Sequence, residues 1–504
     1  MPNSLASTHS DAGRGREILA RMDRLPVVRS HIVWIVLIAV NMMIEYYDNG
    51  LNIPLATELP RDPGTRVAPE MVGTVLSIFY AGMVVGAVIG GRLADRFGRR
   101  PILIWGTVLY SFASLMTAAL PYYEYLLVSR FITGIGVQAV TSVLVTYMAE
   151  IFPSAKRGRF VAVSTVSFTA TAPFLAALAA YILPNNPPGA WRILALVGAA
   201  GLLVVPFVRL FLPESPRWLV ANGRIDDAER VVSRLEAEAL AQGKHIPPVV
   251  LPRAASEVTF SLRSLLTDRG LIKIIAVVGF GWFGATLGLY MHQNFVVDIL
   301  YGMHLRAGQD EAAALNSSYM SYLIWSCLYV VTPVLTFVLI SRFERKTVIL
   351  LGSLSGAVAI LGMAFGGISV YNVAAALAFI LTGVVFSAYY AYIPEVVPTE
   401  ARGFGSGIIF GIGRVGAMVT GILYTALYYP SPKGVFGWDR EGVYLVAAAA
   451  YIISALVVVA FGPKTANRSL EEVANDQVLR SIASHPPAPS STPDSAPTPT
   501  PNRA

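Results

Sequence analysis

The chain has 504 residues, 55% of them hydrophobic and only 14% charged. A soluble domain carries about 25% charged residues, so the composition excludes a water-soluble globular protein and requires lipid to cover much of the surface. The net charge of +7 could point to nucleic acid. The Lys and Arg residues, however, stand in short runs between apolar stretches, which is the pattern of membrane topology and predicts no nucleic-acid partner. The one cysteine, Cys327, rules out an internal disulfide and reads as a small buried or lipid-facing residue.

A helix rises ~1.5 Å per residue, so ~20 apolar residues cross a ~30 Å hydrocarbon core. Twelve runs meet this measure: 31–56, 71–92, 101–121, 124–149, 158–183, 191–212, 273–297, 315–341, 347–368, 371–397, 403–429 and 441–463. The first run is long enough to span and has no small-residue cleavage site, so no cleaved signal is expected. Basic clusters fall before the first span (Arg14, Arg16, Arg21, Arg24, Arg29), after the second (Arg92, Arg96, Arg99, Arg100), after the fourth (Lys156, Arg157, Arg159) and after the eighth (Arg342, Arg345, Lys346). Alternating spans put all of these on one side, which the positive-inside rule makes cytoplasmic, together with both termini.

The expected organisation is a cytoplasmic tail at 1–30, a six-helix bundle at 31–212, a cytoplasmic linker at 213–272, a second six-helix bundle at 273–463 and a Pro-rich, disordered tail at 464–504. In the linker, Ala228, Val231, Val232 and Leu235 recur at helical spacing among charges and predict an amphipathic helix. The two bundles repeat. Tyr147, Glu150, Pro153, Arg157 and Gly158 match Tyr392, Glu395, Pro398, Arg402 and Gly403 at one constant offset of 245 positions (147 to 392). Duplicated halves with a site between them are a common design of secondary transporters.

The segment Gly91-Arg92-Leu93-Ala94-Asp95-Arg96-Phe97-Gly98-Arg99-Arg100 combines glycines for a tight turn and close approach, an acid suited to a helix N-terminus, and paired arginines. It resembles the signature loop of the major facilitator superfamily. Arg157-Gly158-Arg159 after Glu150, Pro213 to Leu219, Asn222 to Glu229, and Pro463-Lys464-Thr465 leading to Glu471-Glu472 resemble that superfamily's sugar-porter and organic-ion branch. The resemblance implies an all-α membrane protein with twelve transmembrane helices in two pseudo-symmetric six-helix bundles. It also implies a cytoplasmic gate of ion pairs between the halves, built from Arg99, Glu150, Arg157, Glu214 and Arg217 on one side and Arg342, Arg345, Glu395 and Arg402 on the other. The second-half loop departs from the pattern, with Ser341 for the Asp and Glu344 for the Gly, so an asymmetric latch is expected.

Charges inside the membrane are costly and mark function. Glu45 and Asp48 share a face of the first span, roughly 21 and 25 Å from its start, and Arg130 enters the fourth about 9 Å deep, so Asp48 and Arg130 lie at similar depth. Sugar–proton symporters of the superfamily carry such a pair. The resemblance makes Asp48 the first candidate for proton carrier and Glu45 the second: Arg130 would hold the acid ionised, and a broken pair would favour protonation. Arg414 lies about 16 Å into the eleventh span with no acid on its own helix, and suits a substrate carboxylate through a bidentate fork. His292, Gln293 and Asn294 at the end of the seventh span, and Tyr389 and Tyr390 in the tenth, are candidates for a cavity that takes a small, partly aromatic solute.

The Gln-rich and Gly-Pro-x-x-Trp sugar patterns are absent: the tenth span reads Gly383 to Tyr389 without them. No phosphate-binding loop appears, so an ion gradient or the solute's own gradient must drive transport. The expected activity is proton-coupled symport of a small organic anion by a monomer in a plasma or inner membrane, with no enzyme activity, cofactor or metal. The rivals are a sugar or polyol transporter, proton-coupled efflux of drugs or metabolites, and a receptor that keeps the fold.

Overall fold

The computed structural model describes residues 3–119, 122–153, 157–249, 269–397, 402–429 and 438–463. Eleven helices or helix pairs among them are long and apolar enough to cross a membrane. Helix Arg157–Ile182 stands in sequence between the fourth and the next of these and completes twelve. Helices dominate because hydrocarbon offers backbone N–H and C=O groups no partner outside the segment itself.

Four spans are helix pairs rather than single rods. Span 1 is Arg29–Gly50 continued by Asn52–Glu58; span 6 is Trp191–Gly198 and Gly201–Phe211; span 7 is Arg269–Gln293 and Val296–Arg306; span 8 is Glu311–Tyr329 and Thr332–Arg342. The break in span 8 has a local cause. Pro333 takes the first turn of the second helix, where its missing N–H costs nothing. Span 7 also runs on to Arg306, well past the 297 expected from hydropathy.

The remaining spans are Val72–Phe97, Arg99–Ala119, Tyr123–Ile151, Arg157–Ile182, Arg345–Phe365, Ile368–Val396, Arg402–Tyr428 and Arg440–Phe461. Span 2 corrects the expected end at 92, since the signature stays helical to Phe97 and only Gly98, at φ +105°, makes the turn into span 3. Spans 1–6 and 7–12 form two bundles. They meet where span 2 packs on span 11, span 5 on span 8, and the second helix of span 1 on the second helix of span 7.

On the face that carries the N-terminus, the chain forms a helix the sequence reading missed, Asn3–Asp23. Its Ile18 and Met22 join Trp218, Leu219, Ile225, Ala228 and Val232 of the linker in a small apolar core. The linker contributes helices Pro216–Ala221 and Ile225–Ala241, the second being the amphipathic helix expected. Arg21 clamps two linker acids, donating to Glu236 at 2.5 and 3.1 Å and to Glu229 at 2.6 Å. Arg24 reaches Glu236 at 2.9 Å. Trp218 donates to the carbonyl of Asp95 at 2.8 Å, which ties this module to the end of span 2.

The bonds from Arg21, then from Arg24, hold the Glu236 carboxyl below the usual range. A depressed carboxylate stabilises the fold above its unfolded value of about 4.3 and loses that contribution as pH falls through the folded value. Arg21→Ala is expected to cost the module roughly 1–2 kcal/mol. Hydrogen exchange should then speed up in the N-terminal helix and in Ile225–Ala241 at pH 7 while the spans stay protected, and acidification below pH 4 should produce the same loosening in the unaltered protein.

Candidate functional site

Between the bundles lies a cavity lined by both halves. Tyr46, Asn49, Gly50 and Ile53 of span 1 and Thr171, Ala172 and Leu175 of span 5 line it from one half. Leu289, Tyr290, Gln293 and Asn294 of span 7, Tyr322 and Tyr329 of span 8, and Phe379 of span 10 line it from the other. The lining is aromatic with three amides and carries no charged side chain. Asn49 Nδ2 donates to the Tyr290 hydroxyl at 3.4 Å, leaving its own Oδ1 without a partner, and Gln293 Nε2 also lacks one.

Of the expected ligands, Gln293 and Asn294 are therefore in place. His292 is not. It is fully buried within the second bundle, its Nδ1 on the Gly288 carbonyl at 2.9 Å and its Nε2 3.4 Å from Thr382 Oγ1. A one-residue step along a helix turns a side chain by about 100°, which separates His292 from Gln293. Tyr389 is likewise buried against Trp282, away from the cavity. Tyr390 is 37% exposed and packs at a tilt against Phe410, ring centres 5.0 Å apart. The cavity tyrosines 290, 322 and 329 were not singled out in the sequence because an aromatic on a membrane helix has too many other uses.

Arg414 stands behind this lining. Its Nη1 donates to the Tyr290 hydroxyl at 3.3 Å, and Tyr390, Tyr46 and Tyr80 are its other near polar neighbours. It forms no ion pair with a described carboxylate. Glu45 is within electrostatic reach but spends Oε1 on the Thr141 hydroxyl and leaves Oε2 bare.

Asp48 is buried in the first bundle. Ser114 donates to its Oδ1 at 2.6 Å, Gly198 of span 6 packs against the carboxylate, and Oδ2 has no hydrogen-bond partner. The expected carboxylate–guanidinium contact with Arg130 is not closed. Arg130 Nη2 donates to the backbone carbonyl of Asp48 at 3.3 Å and to Asn52 Oδ1 at 2.8 Å. Its guanidinium lies 4.3 Å over the Phe79 ring, with Nε and Nη1 unpartnered.

On the terminal face the described ion pairs of the expected gate close within each half. Arg99 grips Glu150 at 3.0 and 3.1 Å, and Arg345 reaches Glu395 at 3.0 Å. Glu214, rather than Asp95, serves the start of span 3: it accepts from the backbone N–H of Arg99 at 2.9 Å and of Arg100 at 3.3 Å. Burial nevertheless pushes the Glu214 carboxyl above its ordinary range. Asp95 is largely exposed and pairs with Arg99 at 3.1 Å. Arg217 binds Asp23 of the N-terminal helix at 2.7 Å. Arg100 reaches the Arg209 carbonyl, Arg96 lies over Phe97, and Arg96 and Arg342 form no described ion pair. Gly91 lies mid-helix in open space. Arg157 and Arg402 begin spans 5 and 11, and their side chains lie outside the described residues.

What does cross between the halves is on the opposite, far face. Arg61 pairs with Glu58 at 2.7 Å and with Glu311 of span 8 at 3.0 Å, and sits 5.6 Å from the Tyr301 ring of span 7. Tyr319 donates to Glu58 at 3.1 Å, Ser77 to the Met418 carbonyl at 2.7 Å, and Asn294 to Tyr80 at 3.2 Å. Gly73 and Gly421 meet so closely that a Cβ on either would collide with the other's backbone. The cavity is sealed towards this face.

The sequence profile described as "Sugar (and other) transporter" matches residues 39–476. The chain belongs to that transporter family. It is 28% identical to the putative metabolite transport protein YyaJ of Bacillus subtilis, over 88% of this chain and 95% of that one. It is also 28% identical to the niacin transporter NiaP of Acinetobacter baylyi, over 91% and 99%. The inward-open xylose transporter XylE of E. coli shares the fold with a TM-score of 0.64 at 18% identity, covering 88% of this chain and 98% of that one. The major facilitator fold and membership of a transporter family, not an enzyme family, are thus established.

The far-face seal gives a direct test. Glu311→Gln is expected to enlarge the far-face-open population about two- to fivefold, the worth of a half-exposed ion pair. Arg61→Ala should shift it further, because it leaves Glu58 buried without its cation. Spin labels on Glu70→Cys and Gln309→Cys in a Cys327→Ser background would show this as a growing long-distance population in double electron–electron resonance.

Proposed function

We propose that this transporter is a proton-coupled symporter of a small aromatic or otherwise planar carboxylate, with its terminal face in the cytoplasm. The observation that carries the reading is Arg414: a cation deep in a membrane helix, held by one tyrosine hydroxyl and free of described ion pairs, directly behind an aromatic cavity. A guanidinium in such a place favours an anion, and a carboxylate can take both arms of its fork. The ring-rich lining favours a flat apolar body. The likeness to a niacin transporter supports the same class.

With the termini inside and the described contacts between the halves gathered on the far face, we read the structure as the inward-facing form. In it Asp48 and Arg130 stand apart, each with unpartnered polar atoms. A carboxylate separated from its cation in this medium favours the proton, and renewed pairing expels it. Alternating access supplies the alternation. The pair would report which way the halves lean, because span 1 carries Asp48 and also the far-face contacts of Glu58 and Arg61.

A sugar substrate is the second reading. The amides of Asn49, Gln293 and Asn294 suit hydroxyl groups, and the family and the xylose transporter's fold favour it. One assay separates the two. In sealed proteoliposomes holding a pH dye, an aromatic carboxylate is expected to drive protein-dependent acidification that Asp48→Asn abolishes. Arg414→Lys should raise the carboxylate's KM roughly 10- to 100-fold, the worth of a charged hydrogen-bond pair, and leave binding of the corresponding neutral amide unchanged. Acidification by hexoses or pentoses alone would transfer the assignment to sugars, and an unaltered KM in Arg414→Lys would remove the arginine from the site.

A further inference from the structure

The transport cycle argued above gives no role to Asp298, an acid of span 7. Asp298 lies on the second helix of span 7, one turn beyond the cavity residue Asn294. Its Oδ2 accepts from the Tyr424 hydroxyl of span 11, and Tyr429 stands close enough to donate as well. Tyr424 stacks on Phe295 at 3.6 Å and on Tyr428 at 5.0 Å. No described cation pairs with Asp298. The nearest arginine on its own helix, Arg306, is taken by Asp439 and by the Tyr428 hydroxyl. Neutral hydroxyls alone leave an ionised carboxylate poorly compensated in a membrane protein.

The helix that carries Asp298 is also half of the far-face seal, packed on Asn52–Glu58 of span 1. The titratable and charged groups facing it are Glu58 and Arg61 from span 1, and Glu311 and Tyr319 from span 8, already joined to one another. Tyr371 of span 10 and Tyr444 of span 12 are bonded to each other, the first also to the Val296 carbonyl at 2.9 Å. Arg440 of span 12 reaches Met303, further along the helix of Asp298, and donates to the Gly366 carbonyl at 2.8 Å. His304, on the helix of Asp298 itself, is buried. None of these supplies Asp298 with a counter-charge.

We propose that Asp298 is a proton-binding site of the extracellular gate, protonated while span 7 is closed on spans 1 and 11 and ionised when the gate opens it to external water. The closed arrangement suits the neutral acid, which keeps its bond with Tyr424. The open one hydrates the anion. External acid therefore favours the sealed, inward-facing form, and external alkali favours opening. The proton returns to the side it came from, so this site sets the orientation of the carrier without adding to the coupled protons. It rests on the sidedness proposed above and not on the identity of the substrate.

The test uses Ser77→Cys in a Cys327→Ser background, since Ser77 is buried in the seal. Its rate of alkylation by a membrane-impermeant maleimide reports opening. Reagent is applied on each side of the vesicle to establish which face opens onto residue 77, and the pH of that face is then varied from 5 to 8. Dividing by the rate in an Asp298→Asn partner at each pH cancels the chemistry of the thiol. The ratio is expected to rise at least about fivefold across this range. Tyr424→Phe, which removes the donor to the anion in the closed form, should widen the rise, and Glu58→Gln should leave it in place. A flat ratio overturns the proposal. So does a rise that vanishes in Glu58→Gln, which would make Glu58 the titrating group. Labelling from the inside only would overturn the sidedness, while the same ratio, measured against the internal pH, would still decide the role of Asp298.

Discussion

Hydrocarbon gives an ionised group no water, and this single constraint organises the molecule. Every charge the protein carries between the membrane faces must be met by protein atoms or must be able to lose its charge. The structure answers in two distinct ways. Arg99–Glu150 and Arg345–Glu395 are closed ion pairs near the membrane edge, the first through two hydrogen bonds and the second through one, with Arg345 Nε and Glu395 Oε2 left bare. Glu45, Asp48 and Arg130 are half-satisfied: one oxygen or nitrogen bonded, the others bare. A bare buried polar atom costs about 1–3 kcal/mol, so a new partner or a proton would gain most at these deep charged groups.

The two ways divide the labour between rigid halves and a movable interface. The ion pair joining the start of span 3 to the end of span 4 recurs between spans 9 and 10, as the internal repeat requires. Because both pairs close within a half, they stiffen each bundle as a body and contribute nothing in this state to holding the bundles together. Between the bundles, spans 2 and 11, 5 and 8, and 1 and 7 pack on each other, and the described polar ties include one arginine between two acids, a tyrosine on a buried carboxylate and hydrogen bonds from Ser77 and Asn294. Stiff bodies joined along such a seam can rock about it. Among the described residues, the module of N-terminal helix and linker is tied to the first half through Trp218, Glu214 and Glu238.

Much of this was legible in the sequence, for a physical reason: hydropathy, basic clusters and the 245-residue repeat all report on lipid and topology. Twelve spans, the amphipathic linker helix and the buried acids of span 1 come from those signals. Side-chain azimuth does not. His292 and Gln293 are neighbours in the chain, yet only Gln293 faces the cavity, and span 7 buries apolar residues on nearly all sides, so periodicity cannot say which face is which. Asp298 and Glu58 fall just beyond the ends read from hydropathy and so resembled interface residues; the second helices of spans 1 and 7 carry them into the seal. The N-terminal helix hid behind Gly13, Gly15 and a polar composition, and forms because Ile18 and Met22 find an apolar groove on the linker.

Family and fold leave the solute open, because sites are grafted onto a shared scaffold. What discriminates here is the order of the layers around the cavity. The first layer is rings and amides, which accept either a flat heterocycle or a ring of hydroxyls. The charge stands one layer back, at Arg414, reached past Tyr290. A neutral polyol could accept a hydrogen bond from that cation but would leave its charge unmet. A carboxylate would satisfy the cation while its ring met the tyrosines, so one ligand would settle both layers at once. The guanidinium then has the stronger claim on specificity, since discrimination rests most heavily on polar groups left unpaired by the wrong ligand.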